Sequence, residues 1–408
     1  MRYSVIVPVF NRPDEVDELL DSLTRQTVKD FEVIIVEDGS TKTCKDVCEK
    51  YASILDLHYY FKENSGPGQS RNYGAERSKG EYLLILDSDV VLPDRYIENL
   101  ELGIENYDML QGMNDGMQSN HAQGTNNGMQ GTHAQGMNTN GMQGNHAQGM
   151  NNGMQGNHNS KFSILNSQLA AFGGPDAAHP SFTPTQKAIS YSMTSFFTTG
   201  GIRGGKKKLD KFYPRSFNMG IRRDVYMQLG GFSKMRFGED IDFSYRICEA
   251  GYTPQLIPEA WVWHKRRTDF RKFFRQVYNS GIARINLEKR HPGTMKLVHL
   301  LPAAFTIGVT ILILIAAFGR IMMVYGNAED FRSWYYLVVA ALAPLLLYSL
   351  LIFADSSLKN RSMKVGALSV PAAFIQLMGY GTGFLVSWWK RCVLGKDEFH
   401  AFEKNFYK

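Results

Sequence analysis

The 408-residue chain is predicted to be an α/β protein with a mostly parallel sheet, continued by C-terminal helices that enter a membrane. Three observations predict this. Strand-like and helix-like segments alternate over the first hundred or so residues, the rhythm of strands joined by crossover helices. Two of the strand-like segments end in paired acids. Three windows near the C-terminus lack Lys, Arg, Asp and Glu for roughly 20 residues each, the length that spans a bilayer core.

The elements follow in order. YSVIVPVF is a short apolar run rich in β-branched residues, a strand. NRPDEVDELLDSLTRQT reads as a helix, with Leu19, Leu20 and Leu23 on one face and Asn11 or Asp14 as its cap. FEVIIVEDGS is a second strand, ending in Glu37 and Asp38. A helix around Cys44–Ser53, a strand LHYYF and a helix from Gly68 to Ser78 come next. EYLLILDSDV is a further strand, ending in Asp87 and Asp89, and a helix runs on to about Tyr107. The chain divides into residues 1–108, an insertion at 109–168, a second half at 169–297, membrane segments at 298–390 and a basic tail at 391–408.

Charge separates these parts. Residues 1–108 hold 12 Lys and Arg against 22 Asp and Glu, a net −10, so the rest carries +16 of the overall +6. An acidic front half excludes nucleic acid as its main partner, and a basic back half beside apolar segments fits an anionic membrane surface. The apolar windows lie between Lys296 and Arg320, Arg332 and Asp355, and Lys364 and Lys390, flanked by Trp334, Trp388 and Trp389. The third is richer in Gly and polar residues. A re-entrant or interfacial course for it would keep Lys359, Arg361 and Lys364 on the same side as Lys390 and Arg391, as the positive-inside tendency asks. The N-terminal apolar run is too short for a signal peptide, so the front domain is expected in the cytosol at the inner membrane. Four sparse cysteines have no metal-ligand spacing and read as reduced thiols.

Residues 109–158 repeat about every twelve positions, with His121, His133, His146 and His158 in phase. The segment holds no Lys or Arg and almost no aliphatic residues, so it is expected to be disordered. Its Met and His side chains also suit copper or nickel, an alternative function for the insertion.

The acids carry the chemistry. Asp38, Asp87 and Asp89 on neighbouring strand ends would repel one another in a cleft unless a cation or a donor-rich ligand met them. Asp87 and Asp89, at i and i+2, can present oxygens to one Mg²⁺ or Mn²⁺. A second pair, Glu239 and Asp240 in GEDIDFSYR, opens a predicted helix after Gly238. Acids also cap helices there, but a carboxylate held in that position can take a proton from a weakly nucleophilic hydroxyl.

VIVPVFNRP, EDGS, GPGQSRN, DSD, FNMGIRR and GEDIDFSYR, in this order and spacing, resemble family 2 glycosyltransferases with a GT-A-type nucleotide-sugar-binding fold. The resemblance covers about residues 3–108 and 169–290, and its later segments look like membrane-bound members that build bacterial surface polysaccharides. It implies an inverting enzyme using a nucleotide-sugar donor, a UDP-sugar foremost, with Mg²⁺ or Mn²⁺. It implies that Pro8, Phe10 and Asp38 frame the nucleobase, that Arg71 meets the nucleotide or its phosphates, and that Asp87 helps place the ribose or the metal shell. Asp89 and His264 would ligate the metal, and Asp240 would be the base. Asn218, Met219 and Glu239 would line the acceptor side. The Gln-x-x-Arg-Trp motif of processive synthases is missing from FRKFFRQVYNSGIARI, which favours addition of one sugar to a lipid-linked or glycan acceptor. Direct transfer to a polyprenyl phosphate and a non-catalytic membrane scaffold are the rival readings.

Overall fold

The computed structural model describes residues 1–124, 168–199, 211–265 and 267–402. Four parallel strands form the heart of a seven-stranded sheet: β1 (Tyr3–Val9), β2 (Phe31–Asp38), β3 (Leu57–Lys62) and β4 (Tyr82–Leu86). β1 pairs with both β2 and β4, and β2 with β3. α1 (Pro13–Thr24), α2 (Lys45–Tyr51) and α3 (Pro67–Glu76) connect them. β1 and β2 are nearly continuous apolar runs because helices cover both faces of the sheet. Tyr3, Val5 and Val7 point to one face and pack with Leu19, Leu20 and Leu23 of α1. Ile6, Ile34 and Val36 point to the other, with Ala75 of α3. A Cβ at Gly74 would lie 2.6 Å from Ile6 Cγ2, so only glycine lets α3 sit this close to the sheet.

After β4 come β5 (Val90–Val91) and α4 (Tyr96–Gly124). α4 runs past Tyr107 into the first units of the repeat; the rest of the repeat lies outside the described residues. β6 (Ala171–Gly173), β7 (Asp176–Ala177), α5 (Pro184–Thr194), α6 (Phe196–Thr199), β8 (Asn218–Arg222), α7 (Arg223–Gln228), α8 (Glu239–Glu249), β9 (Gln255–Leu256) and β10 (Val262–His264) follow. β8 enters the main sheet antiparallel to β4 and carries β6 and β9 beyond it. The result is the mostly parallel sheet that the sequence predicts, with one antiparallel strand inserted. A second sheet has the order β5-β10-β7, with β5 following closely on the carboxyl end of β4.

Asn11 does not cap α1. It adopts φ 57°, and its Oδ1 accepts from Thr41 N and Lys42 N, both at 2.8 Å. Asn tolerates that left-handed conformation better than most residues, so it ties the loop after β1 to the loop after β2.

α9 (Phe270–Arg290) leads to α10 (Leu301–Tyr325), α11 (Phe331–Asn360) and α12 (Met363–Trp388). Among the described residues these make three stretches long and apolar enough to cross a membrane: Leu297–Tyr325, Ala328–Asn360 and Met363–Val393. α12 is one unbroken helix, not a re-entrant pair. Its glycines have a packing cause. A Cβ at Gly383 would stand 2.1 Å from Tyr278 O of α9, and one at Gly381 would stand 2.3 Å from Pro302 O of α10. α9 answers with Gly281, where a Cβ would lie 2.1 Å from Tyr380 O. α9 is therefore packed along α12 by backbone-to-backbone approach, while Ile311, Leu314, Leu346 and Leu350 of α10 and α11 remain exposed. Gly281→Val should separate α9 from α12 and cost about 1–3 kcal/mol or more, read as a lowered midpoint of thermal unfolding in detergent; an unchanged midpoint contradicts this packing.

Candidate active site

The carboxyl ends of β1, β2 and β4 open onto one cavity of about 530 Å³. Open α/β sheets bind ligands at this edge. Pro8, Phe10 and Asp38 line it from the first two strands, and Asp87 and Asp89 from the segment after β4. Arg71 enters from α3, Glu239 and Asp240 from the start of α8. Residues more than two hundred positions apart thus share one space.

Asp38 is 4% exposed and already well supplied with donors. Its Oδ1 accepts from Lys62 Nζ at 2.5 Å and Ser65 N at 2.9 Å, and its Oδ2 from Gly66 N at 2.9 Å. These bonds fix the loop leading into α3. Glu37, its neighbour, alternates to the opposite face. There its Oε2 accepts from Cys44 N at 2.8 Å, so it belongs to the core.

Sheet register brings His264 to Asp89. β10 runs antiparallel to β5 with His264 opposite Val90, and Lys265 N donates to Asp89 O at 2.9 Å. His264 Nε2 lies 3.3 Å from Asp89 Oδ1, which is buried and makes no properly aligned hydrogen bond among the described residues. Asp87, Asp89 and His264 each offer a ligand atom within 4.8 Å of the others. Two carboxylates and an imidazole in one place fit Mn²⁺, and the carboxylates alone fit Mg²⁺. Burial pushes the Asp89 carboxyl up, but His264, Arg267 and Arg12 outweigh it and hold the group below the usual carboxylate range.

Arg71 joins the two halves. It is 2% exposed, with Nη2 donating to Asp87 Oδ1 at 2.7 Å and Nη1 to Glu239 Oε1 at 2.9 Å. Phe232 covers the guanidinium at 5.1 Å. Its two acidic partners outweigh burial and keep it cationic. Both hydrogen bonds thus go to the protein's own carboxylates, and the residue also lines the cavity.

α8 begins after Gly238, whose φ of 83° is a conformation that favours glycine. The turn presents both acids to the cavity, and they differ. Burial, with Asp240 beside it, raises Glu239 to about 7 against the pull of Arg71. Asp240 would also be raised by burial, but Arg215 Nε donates to its Oδ2 at 2.6 Å and holds it below the ordinary range. Asp240 is therefore an anion throughout the neutral range.

Asn218 and Met219 lie away from this wall. Asn218 Oδ1 accepts from Tyr96 Oη at 2.6 Å and its Nδ2 donates to Ala260 O at 2.8 Å, while Met219 is 1% exposed in the core. They stand in β8, where both faces of the sheet are covered. Of the basic run after His264, Lys265 pairs with Glu18 at 2.6 Å and Arg267 lines the cavity; Arg266 lies outside the described residues. Sequence reasoning did not single out Arg215. Its only local signal is a position three residues before Asn218, and pairing across 25 residues leaves no periodic trace.

Arg71→Gln should leave the buried Glu239 and the partly buried Asp87 without their counter-charge and destabilise the protein by about 3–5 kcal/mol. Chemical denaturation checks this, and an unaltered midpoint rules out Arg71 as the clamp.

Two family models match the chain: Glycosyl transferase family 2 over residues 4–147 and Glycosyl transferase family group 2 over residues 216–358. An uncharacterized glycosyltransferase of Rickettsia bellii is 38% identical over 88 residues, 22% of this chain and 13% of the relative. The Staphylococcus aureus poly(ribitol-phosphate) beta-N-acetylglucosaminyltransferase TarS is 40% identical over 93 residues, 22% of this chain and 16% of the relative. The first curated relatives are thus matched over only a small part of their own lengths. Among solved structures, a mannosyltransferase from Pyrobaculum calidifontis in complex with GDP-Man and Mn²⁺ is similar at 15% identity and TM-score 0.48, over 97% of this chain and 88% of that one. The two family matches fall on the two stretches of chain that meet around the cavity, and the chain belongs to glycosyltransferase family 2.

Proposed function

We propose that the chain is a metal-dependent, inverting glycosyltransferase that moves one sugar from a nucleotide-sugar donor, a UDP-sugar foremost, to a lipid-linked or glycan acceptor. The work would take place at the cytosolic face of the inner membrane, in surface polysaccharide synthesis. The observation that carries this reading is that Asp87 and Asp89 share one cavity with Asp240. A second supports the acceptor class: the same cavity extends to Leu301 and Pro302 of α10 and to Tyr380 of α12. The relative named for transfer to poly(ribitol-phosphate) supports a polysaccharide role.

In this reading Pro8, Phe10 and Asp38 bound the nucleobase end. Asp87, Asp89 and His264 would hold Mg²⁺ or Mn²⁺, which supplies positive charge for the departing diphosphate. Asp240 takes the proton of the acceptor hydroxyl. The hydroxyl oxygen forms a bond to the anomeric carbon, the bond to the diphosphate oxygen breaks, and configuration inverts. Arg215 keeps Asp240 ionised and aimed, and Arg71 keeps Glu239 and Asp87 at fixed separation.

Three outcomes test it. Asp240→Asn should lower transfer by about 10²–10⁴-fold while nucleotide affinity stays the same; turnover near wild type removes Asp240 from the mechanism. Asp89→Ala should weaken donor binding in Mn²⁺ but not in its absence, measured by calorimetry, and equal losses in both contradict the ligand role. Arg215 depresses the Asp240 carboxyl, so Arg215→Gln should move the acid limb of the pH–rate profile to higher pH. A limb that stays in place assigns the titration elsewhere.

A further inference from the structure

The opposite edge of the main sheet carries a second group of metal-ligating side chains. Glu32 stands near the start of β2, six residues before Asp38, so about 20 Å of extended strand separates it from the cavity. His58 stands near the start of β3, and Asp56 lies two residues before it. β3 is the edge strand of the sheet, and its His58 is opposite Ile34. Side chains two apart on a strand share a face, so Glu32 and His58 both project from the face that carries Ile34. Glu32, Asp56 and His58 each offer a ligand atom within 4.8 Å of the others. His58 Nε2 lies 3.4 Å from Glu32 Oε2 and 3.2 Å from Asp56 Oδ1.

Glu32 gives this group its chemical need. It is fully buried. Its Oε1 accepts from Ser4 Oγ at 2.7 Å and from Lys79 N at 2.6 Å, which ties the turn before β4 to β1. Its Oε2 is also buried and makes no hydrogen bond among the described residues. Among the same residues no Lys or Arg pairs with Glu32; its ion-pair partner is His58. A buried carboxylate oxygen without a donor is costly. His58 Nε2 is likewise buried without an aligned hydrogen bond, and a single proton there cannot point at Glu32 and Asp56 at once. A cation among the three atoms meets all of them together. Tetrahedral Zn²⁺ with bonds of about 2.0–2.1 Å sets its ligand atoms about 3.3 Å apart. The separations of 3.2 and 3.4 Å match that spacing. Such an ion sits between its ligands and takes the place of the Nε2 proton, so it needs no cavity of its own. The side chains of His58 and Asp56 are 33% and 47% exposed, which leaves an approach from the sheet edge.

We infer that Glu32, Asp56 and His58 form a Zn²⁺ site, with water as the fourth ligand, at the amino ends of β2 and β3. The site is separate from the group made by Asp87, Asp89 and His264, and it does not rest on the transferase reading. The imidazole decides the metal. A mixed nitrogen and oxygen site binds Zn²⁺ more tightly than Mn²⁺, and Mg²⁺ prefers six oxygens in octahedral array. Three protein ligands leave the fourth position to solvent, on the side where Asp56 is exposed. The bound ion would neutralise Glu32 and fasten the edge strand β3, through His58, to its neighbour β2.

The test uses the full chain, freed of metal, in phosphatidylcholine nanodiscs at neutral pH, where an ordinary imidazole is largely uncharged. Zn²⁺ is titrated by calorimetry into Asp89→Ala, which removes a ligand from the cavity group, and into Asp89→Ala with His58→Ala. The histidines of residues 109–158 are common to both proteins, so the difference between them reports the second group. The single variant should take up one more equivalent of Zn²⁺ than the double variant. Zn²⁺ should also raise its midpoint of thermal unfolding further, because the ion binds the folded state. Asp56→Asn, added to Asp89→Ala, should weaken that equivalent at least about tenfold. Asp56 is half exposed, so this variant decides if the one lacking His58 fails to fold. Equal uptake of Zn²⁺ with and without His58 overturns the inference and leaves His58 as a protonated partner of Glu32. Mn²⁺ bound as tightly as Zn²⁺ by the same equivalent overturns the choice of metal.

Discussion

Arg71 is the group on which the arrangement of this cavity depends. It stands on α3, in the first half of the chain, and one guanidinium nitrogen reaches Asp87 while another reaches Glu239 of the second half. Without it, the buried Glu239 and the partly buried Asp87 would face each other across the join, and like charges held close together separate or take up protons. With it, the turn at Gly238 is drawn against the strand ends and Asp240 is carried into the same space as Asp89. The acids are thereby organised by paired cations inside the protein: Lys62 for Asp38, Arg71 for Asp87 and Glu239, Arg215 for Asp240. Asp89 differs. Its Oδ1 has a histidine 3.3 Å away and no aligned hydrogen bond among the described residues.

The second constraint is the close approach of α9 to α12. Glycines at 281, 381 and 383 remove the side chains that would hold the helices apart. α9 is therefore a fixed strut between the turn bearing Asp240 and the span-length helices. This gives the polar character of the third apolar segment a mechanical cause. Its small residues face protein, whereas the long aliphatic residues of α10 and α11 remain outward.

Much of this was legible in the sequence because it is local. Short β-branched apolar runs and a 3.6-residue period located β1, α1, β2 and β4, and the acids Asp38 and Asp87 sit where those strands end. The grouping of Asp38, Asp87 and Asp89 could be expected from neighbouring strand ends, and the place of Asp240 beside them from the family resemblance. What was not legible depends on pairing between distant residues. The partnership of Arg215 with Asp240, the clamp made by Arg71, and the reach of α9 and α12 into the cavity wall have no spacing rule. Asn218 and Met219 show the converse. They belong to a recognisable motif, yet the strand holding them is covered on both faces, so the motif there serves the sheet.

The most direct measurement is a donor screen on membranes containing the full chain, scored by release of nucleoside diphosphate and by the anomeric configuration of the product. The account predicts one preferred nucleotide sugar, release that depends on added Mn²⁺ or Mg²⁺, and a glycosidic bond of configuration opposite to the donor's. Release that is indifferent to metal, or a product that keeps the donor's configuration, would contradict it.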